Sequence, residues 1–324
     1  MRYEACVTLN PMPHTALHTP LARPRAMTRN AHVAILAASG PVDMERIARA
    51  TKNLESRGLR VTLADNIGHR HRSYLAGPDD ERAEQFNRFM NSAEFDGFLF
   101  ARGGYGAMRI LDAIDYDAIR RNPRPIIGFS DVTALHQAIA LRAGVSAFHG
   151  PMVNVDFYNG LSPDREEWFW SMLAGQSPMT WRFNSVDVVA EGEAEGNLFG
   201  GCLSLTTSLL GTPYDYWIDG GIWFWEDIDE PVYRIDRMLT HLRLSGRIRA
   251  IRGVIIGRLK LPESESEEAM SALLQEFFGS MGIPVVRNIP FGHLGDNLLM
   301  PIGAHVRLST VENRFTITAP AVER

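Results

Sequence analysis

Residues 125 to 144 join a short apolar run (Pro125 to Gly128), a sharp turn at Phe129-Ser130 and an amphipathic helix. Similar apolar runs precede it at His32 to Ala38, Leu59 to Ala64 and Gly97 to Ala101. Helical periodicity lies between them, in Asp43 to Arg57 and Asp79 to Asn91, and partly in Leu111 to Arg120. Strands that are apolar throughout and alternate with helices predict a parallel sheet covered on both faces. Such sheets bind ligands beyond the carboxyl ends of their strands. Ser130 and the turn after Ala101 both fall at such ends.

The pattern changes beyond Asn159. Pro163 to Ala174 reads as one helix in a tryptophan-rich bridge holding Trp168, Trp170 and Trp181. Short strands then dominate, at Val186 to Ala190, Gly221 to Trp225, Gly253 to Leu259 and Val285 to Ile289, with helices chiefly over Val232 to Leu244 and Glu267 to Met281. The predicted organisation is a disordered extension (1–30), an α/β domain carrying Ser130 (31–160), a bridge (161–185) and a smaller β-rich domain (186–324). A cleft between the two domains is the expected site. The extension is inferred from Pro11, Pro13, Pro20 and Pro24 and from the lack of an apolar signal-peptide core.

Composition narrows the function. The chain has 324 residues, 45% of them hydrophobic, and a net charge of −5. No basic stripe is interleaved with aromatics, which argues against nucleic acid as a partner. No apolar run reaches membrane-spanning length. Two cysteines, Cys6 and Cys202, make no disulfide framework, and a cytoplasmic location is expected.

The turn at Ser130 would lift its hydroxyl above the sheet beside the first free amides of a helix, the setting of a nucleophile with an oxyanion hole. Ser and Asp are also ordinary helix caps. A serine nucleophile needs a base, and the base an orienting acid. His293 stands just past a strand between Gly292 and Gly295, where glycines let the backbone bend around a site. Glu226 ends the apolar run Ile222 to Trp225, and a carboxylate leaving a buried strand calls for a partner. Asp227, Asp229 and Glu230 are accounted for as acids at the start of the following helix. Arg102-Gly-Gly-Tyr-Gly106 offers an amide to an oxyanion; as a dinucleotide fingerprint it fails, because Tyr105 replaces the second glycine. His69 and His71, two apart on a polar loop, do not make a metal site. His136 reads as a packing residue of its helix, and His149 as part of the domain boundary.

Several motifs together resemble those of the LD-carboxypeptidases, a serine peptidase family that includes muramoyltetrapeptide carboxypeptidases and microcin C immunity peptidases. They are Ala101-Arg-Gly-Gly-Tyr-Gly, Gly128-Phe-Ser-Asp, Phe148-His-Gly-Pro, Glu195-Gly-Asn-Leu-Phe-Gly-Gly, Leu210-Gly-Thr-Pro-Tyr, Trp225-Glu-Asp, Tyr233-Arg-Ile-Asp-Arg-Met-Leu and Pro290-Phe-Gly-His. The resemblance runs from His32 to the end. It implies a Rossmann-like domain followed by a β-rich one, a homodimer and no metal or other cofactor. It also implies a triad of Ser130, Glu226 and His293 and an oxyanion hole from the amides of Gly103 and Asp131. Cys202 stands where the family usually shows Asn, which puts the local hydrogen bonding in question.

The expected activity is hydrolysis of the L,D bond before the terminal D-alanine of murein tetrapeptides, as in peptidoglycan recycling. A carboxypeptidase must also read a free carboxylate, for which Arg102, Arg234 and Arg237 are candidates. The alternative within the family is a microcin-type peptidyl-adenylate hydrolase, with Trp168, Trp170, Trp181 or Trp217 stacking on adenine. A glutamine amidotransferase would need Cys in place of Ser130. A non-enzymatic binder of cell-wall peptide would keep its function without the Ser130 hydroxyl.

Overall fold

A computed structural model describes residues 20–324. Five strands form the parallel part of a first sheet: β1 (His32–Leu36), β2 (Arg60–Leu63), β3 (Gly97–Phe100), β4 (Ile126–Gly128) and β5 (Phe148–His149). Their order is 2-1-3-4-5. Val33 to Leu36 and all of β3 and β4 are buried, so their unbroken apolar character follows from cover on both faces. That cover comes from helices including α1 (Met44–Glu55), α2 (Asp79–Asn91), α3 (Tyr116–Arg121) and α4 (Thr133–Ala138). Asp43 caps α1 by accepting from the amides of Glu45 and Arg46, and the helix buries Ile47, Ala50 and Leu54 along one face.

The order reverses between β1 and β3, which opens a crevice at their carboxyl ends. There the Gly40 amide donates to the Gly103 carbonyl at 3.0 Å, tying the loop after β1 to the loop after β3.

The second sheet has eight strands: β6 (Met179–Arg182), β7 (Val188–Ala190), β8 (Glu193–Cys202), β9 (Ile222–Glu226), β10 (Gly253–Gly257), β11 (Val285–Ile289) and, after the short β12 (Met300–Pro301), β13 (His305–Ser309) and β14 (Arg314–Ile317). Its centre, β8-β9-β10-β11, is parallel, and antiparallel strands flank it on both sides. The predicted strand positions along β9, β10 and β11 hold to within a few residues. β8, β13 and β14 were not among the expected strands.

Two boundaries differ from expectation. β12 leaves the second half of the chain and pairs antiparallel with β5 of the first sheet. β6, from the expected bridge, joins the second sheet beside β14. The supposed extension also needs correction for the residues described here, 20–30; residues 1–19 lie outside them. Ala22 donates to Gly144, Arg25 to Pro123, Ala26 to Glu323 and Met27 to Leu173 through their backbone amides. Met27 is 1% exposed, and its sulfur fills the space over Gly97, where a Cβ would lie 2.6 Å from it. A proline-rich segment without periodicity is held here by two buried side chains, Pro24 and Met27, and by main-chain bonds, none of which leaves a periodic pattern in the sequence.

Met27→Ala should therefore destabilise the protein by about 2–5 kcal/mol. Exposed Thr28→Ala next to it should stay within about 0.5 kcal/mol. Chemical denaturation of the two variants checks this.

Candidate active site

Ser130 follows β4 at φ +62°, a left-handed backbone that non-glycine side chains rarely adopt. The turn this creates leads through a single 3₁₀ turn into α4. Strain of this kind persists only where neighbours fix it. The Asp131 carboxylate, buried after the turn, accepts from the Ala107 amide at 2.8 Å and so holds the turn to the Arg102–Gly106 loop. Burial pushes the Asp131 carboxyl above its ordinary range, against the opposing hydrogen bond from the Ala107 amide. At the start of α4, the Thr133 hydroxyl accepts from the Cys202 amide at 3.0 Å. A Cβ on Gly201 would lie 2.6 Å from Thr133, so glycine permits this approach of β8 to α4.

Glu226 and His293 come from the second sheet, each at the carboxyl end of a parallel strand. Glu226 closes β9 and is 0% exposed. His293 follows β11 through Phe291-Gly292, where Gly292 has φ +101°. A Cβ on Gly292 would stand 2.5 Å from Oε2 of Glu226, and one on Gly257 would stand 2.8 Å from the Glu226 Cβ. Two glycines thus make room for this side chain. The Gly292 amide donates to Oδ1 of buried Asn297, a bond that fixes the loop and that nothing in the local pattern announced.

The result is a continuous hydrogen-bonded chain. His293 Nε2 lies 2.9 Å from Ser130 Oγ, and His293 Nδ1 lies 2.6 Å from Glu226 Oε2. Phe129 meets the His293 ring edge-on, with centroids 4.9 Å apart. Burial alone would lower the His293 pKa. The Glu226 charge and hydrogen bond outweigh it, aided by Asp227 and Asp156, and the net shift is upward from 6.5. Asp227 accepts from the amides of Ser204 and Ile228, and burial together with the Glu226 charge raises it to about 6. Its bond to Ser204 holds the start of the helix that follows β8, not that of the helix after Pro231 to which the sequence assigned it.

Gly103 lies against the serine. A Cβ there would be 2.7 Å from Ser130 Cβ, 2.9 Å from its Oγ and 3.3 Å from the Asp131 nitrogen. The expected pair of oxyanion donors therefore belongs to segments in contact at the nucleophile. Gly104, at φ +111°, packs instead against Gly40.

The remaining expectations separate. Arg102 is half-buried and donates to the Pro41 carbonyl at 3.0 Å, which keeps its guanidinium beside the Gly103 loop. Arg234 is exposed and faces Glu230 at 3.5 Å, an i,i+4 surface pair, and Arg237 lies over the Tyr233 ring. Trp168, Trp170 and Trp217 are core residues, and Trp181 packs edge-on against Trp168. Cys202 is buried, with Sγ 3.2 Å from the Ser204 hydroxyl, and burial raises its thiol well above the ordinary value. Among the described residues, no group of three or more His, Cys, Asp or Glu is arranged to hold a metal ion.

Two family models match the chain in succession, the LD-carboxypeptidase N-terminal domain over residues 33–150 and the LD-carboxypeptidase C-terminal domain over residues 195–308. The chain belongs to the LD-carboxypeptidase family. It is 33% identical over 306 residues to the "Probable murein peptide carboxypeptidase" of Bacillus subtilis strain 168, covering 93% of this chain and 96% of that protein. The crystal structure of muramoyltetrapeptide carboxypeptidase from Oxalobacter formigenes superposes with a TM-score of 0.78 at 30% identity, covering 88% and 97% of the two chains. The apo wild-type structure of the microcin C7 self immunity protein MccF shares the fold, with a TM-score of 0.84 at 21% identity over 93% and 99%. The protein is thus a peptidase of this family, with its two-domain α/β architecture.

Gly103→Ala should lower kcat/KM by about 100-fold or more, since its methyl group occupies the space around Ser130 Oγ. Its unfolding free energy should fall by no more than about 3 kcal/mol. Peptidase assays beside thermal melts separate the two effects.

Proposed function

We propose that this protein is a serine carboxypeptidase that removes the terminal D-alanine of murein tetrapeptides by hydrolysing the L,D bond before it. The observation that carries the reading is the unbroken hydrogen-bonded line from Ser130 Oγ through both nitrogens of His293 to Glu226. Relatives named for murein peptides support the substrate. The buried positions of Trp168, Trp170 and Trp217 argue against their serving as an adenine platform.

In this mechanism His293 Nε2 takes the Ser130 proton as Oγ attacks the scissile carbonyl. Glu226 holds the Nδ1–H tautomer and stabilises the imidazolium. The amides of Gly103 and Asp131 receive the oxyanion. The carbon–nitrogen bond then breaks, and His293 gives its proton to the departing D-alanine amine. Water attacks the acyl-enzyme and passes a proton to His293, and the second tetrahedral intermediate collapses to release the shortened peptide and the Ser130 hydroxyl. Arg102, held beside the loop that carries Gly103, is the candidate for the substrate carboxylate. We assign the reaction to the cytoplasm and to peptidoglycan recycling.

Mass spectrometry of muramoyl-tetrapeptide incubated with the protein should show loss of one D-alanine, slowed by a factor on the order of 10⁴ or more in Ser130→Ala. An intact tetrapeptide beside a cleaved peptidyl-adenylate would replace this substrate with the microcin type. Cleavage that persists in Ser130→Ala would remove the triad.

His293 works as a base only when neutral, so activity should fall as pH drops through its raised pKa. The acid limb of kcat/KM should have its midpoint above 6.5. A midpoint well below that value would contradict the electrostatic description of the site.

A further inference from the structure

Glu226 has two carboxylate oxygens, and the His293 bond accounts for only one. Oε1 is fully buried and has no hydrogen-bond partner. Facing it at 4.0 Å is Nε2 of His149, itself 0% exposed, with neither ring nitrogen partnered. An orphaned acceptor and an orphaned imidazole nitrogen, turned toward each other inside a core, form a complementary pair.

The surroundings hold this arrangement. The His149 ring packs against Phe129, Phe224 and Phe291, with centroids 5.8, 5.3 and 5.8 Å away. Its strand is pinned by β4 on one side and β12 on the other. The ring therefore has little freedom to turn elsewhere. Burial, with smaller contributions from His136 and His293, drives the His149 pKa well below its ordinary value. The ring is thus neutral and carries one N–H. Rotation of the carboxylate that shortens the gap by about 1 Å makes the hydrogen bond.

We propose that His149, as its Nε2–H tautomer, donates to Oε1 of Glu226 and is a positioning residue that sets the carboxylate against His293. This rests on the reading of Ser130, His293 and Glu226 as the catalytic relay. The donor stabilises the negative charge of the Glu226–His293 couple. Without it the couple holds its proton to higher pH, so the acid limb moves upward. The other groups bearing on this region are His136 on α4, Asp156 in the turn after β5, Asp227 after β9 and Asp296 after His293.

His149→Phe keeps a ring in the aromatic pocket and removes the donor, whereas His149→Gln restores an N–H near the Nε2 position. D-alanine release measured from pH 5 to 9 should show His149→Phe with kcat down about tenfold, KM within about twofold and the acid limb raised by about 0.5–1 pH unit. His149→Gln should recover kcat to within about threefold and return the limb. An unmoved limb in His149→Phe, or a Gln variant no better than Phe, would overturn the proposal.

Should the Phe variant not fold, nitrogen-15 NMR of histidine-labelled unsubstituted protein decides. It should show His149 protonated at Nε2 throughout the folded range, with that N–H resonance displaced in Glu226→Gln. A proton on Nδ1, or an undisplaced resonance, would overturn the pairing. Because the NMR needs no turnover, a protein that releases no D-alanine would count against the proposed function and leave the pairing to be judged by the spectrum.

Discussion

A carboxylate with no exposed surface lies at the meeting point of the two sheets, and much of the surrounding structure answers to it. Removing such a group from water costs several kcal/mol unless a partner offsets it. For Glu226 that partner is His293, 2.6 Å away, and His293 reaches it only because the chain after β11 turns back through Gly292. Any side chain at Gly292 would collide with the carboxylate oxygen, and one at Gly257 would collide with the Glu226 Cβ. The glycines at these two positions follow from the volume of one side chain. The same charge governs the histidine, whose pKa rises despite burial that would otherwise lower it.

Ser130 is bound by a different constraint. Its left-handed backbone stores of order 1–3 kcal/mol, and only surroundings that over-determine it can keep it so. Those surroundings are two-sided. Asp131 anchors the turn to the loop after β3, and Thr133 anchors the helix start to β8 of the other sheet. Arg82 adds a third fixture from beneath, donating to the carbonyls of Ala38, Gly77 and Gly106 while wholly buried. A guanidinium there satisfies the carbonyls of three adjoining loops at once, which no apolar side chain could do.

These two constraints explain what a reader of the sequence could see. Ser130 and Glu226 were recognisable because each stands directly after an apolar run, and His293 because it stands between glycines just past a strand; strand ends are where parallel sheets expose chemistry. β1, β3 and β4 were legible because burial on both faces leaves no polar interruption. β8 was not legible, since Glu193, Glu195, Gly196, Gly200 and Gly201 break its apolar character; those glycines are there for close approach, as Gly201 is to Thr133. Met27 and the backbone bonds of residues 22–27 were invisible because a main-chain bond carries no side-chain signature. His149 could be noticed beside Gly150-Pro151, but its relation to Glu226 spans 77 positions and exists only once β5, β9 and β12 are packed.

The division of the site between two sheets raises the question of what keeps serine and histidine at hydrogen-bonding distance. The answer lies in the path of the chain around His293. Residues 290–299 are bracketed by β11, a strand of the second sheet, and by β12, which pairs with β5 of the first. The loop is pinned again along its length, where Asp296 accepts from the amide and hydroxyl of Ser162 and Trp168 donates to the Leu299 carbonyl. Relative movement of the sheets would therefore have to break β12 away from β5 before it could carry His293 off Ser130. The return of β12 to the first sheet makes the geometry of the relay a property of the whole fold, although its residues are supplied by separate halves of the chain.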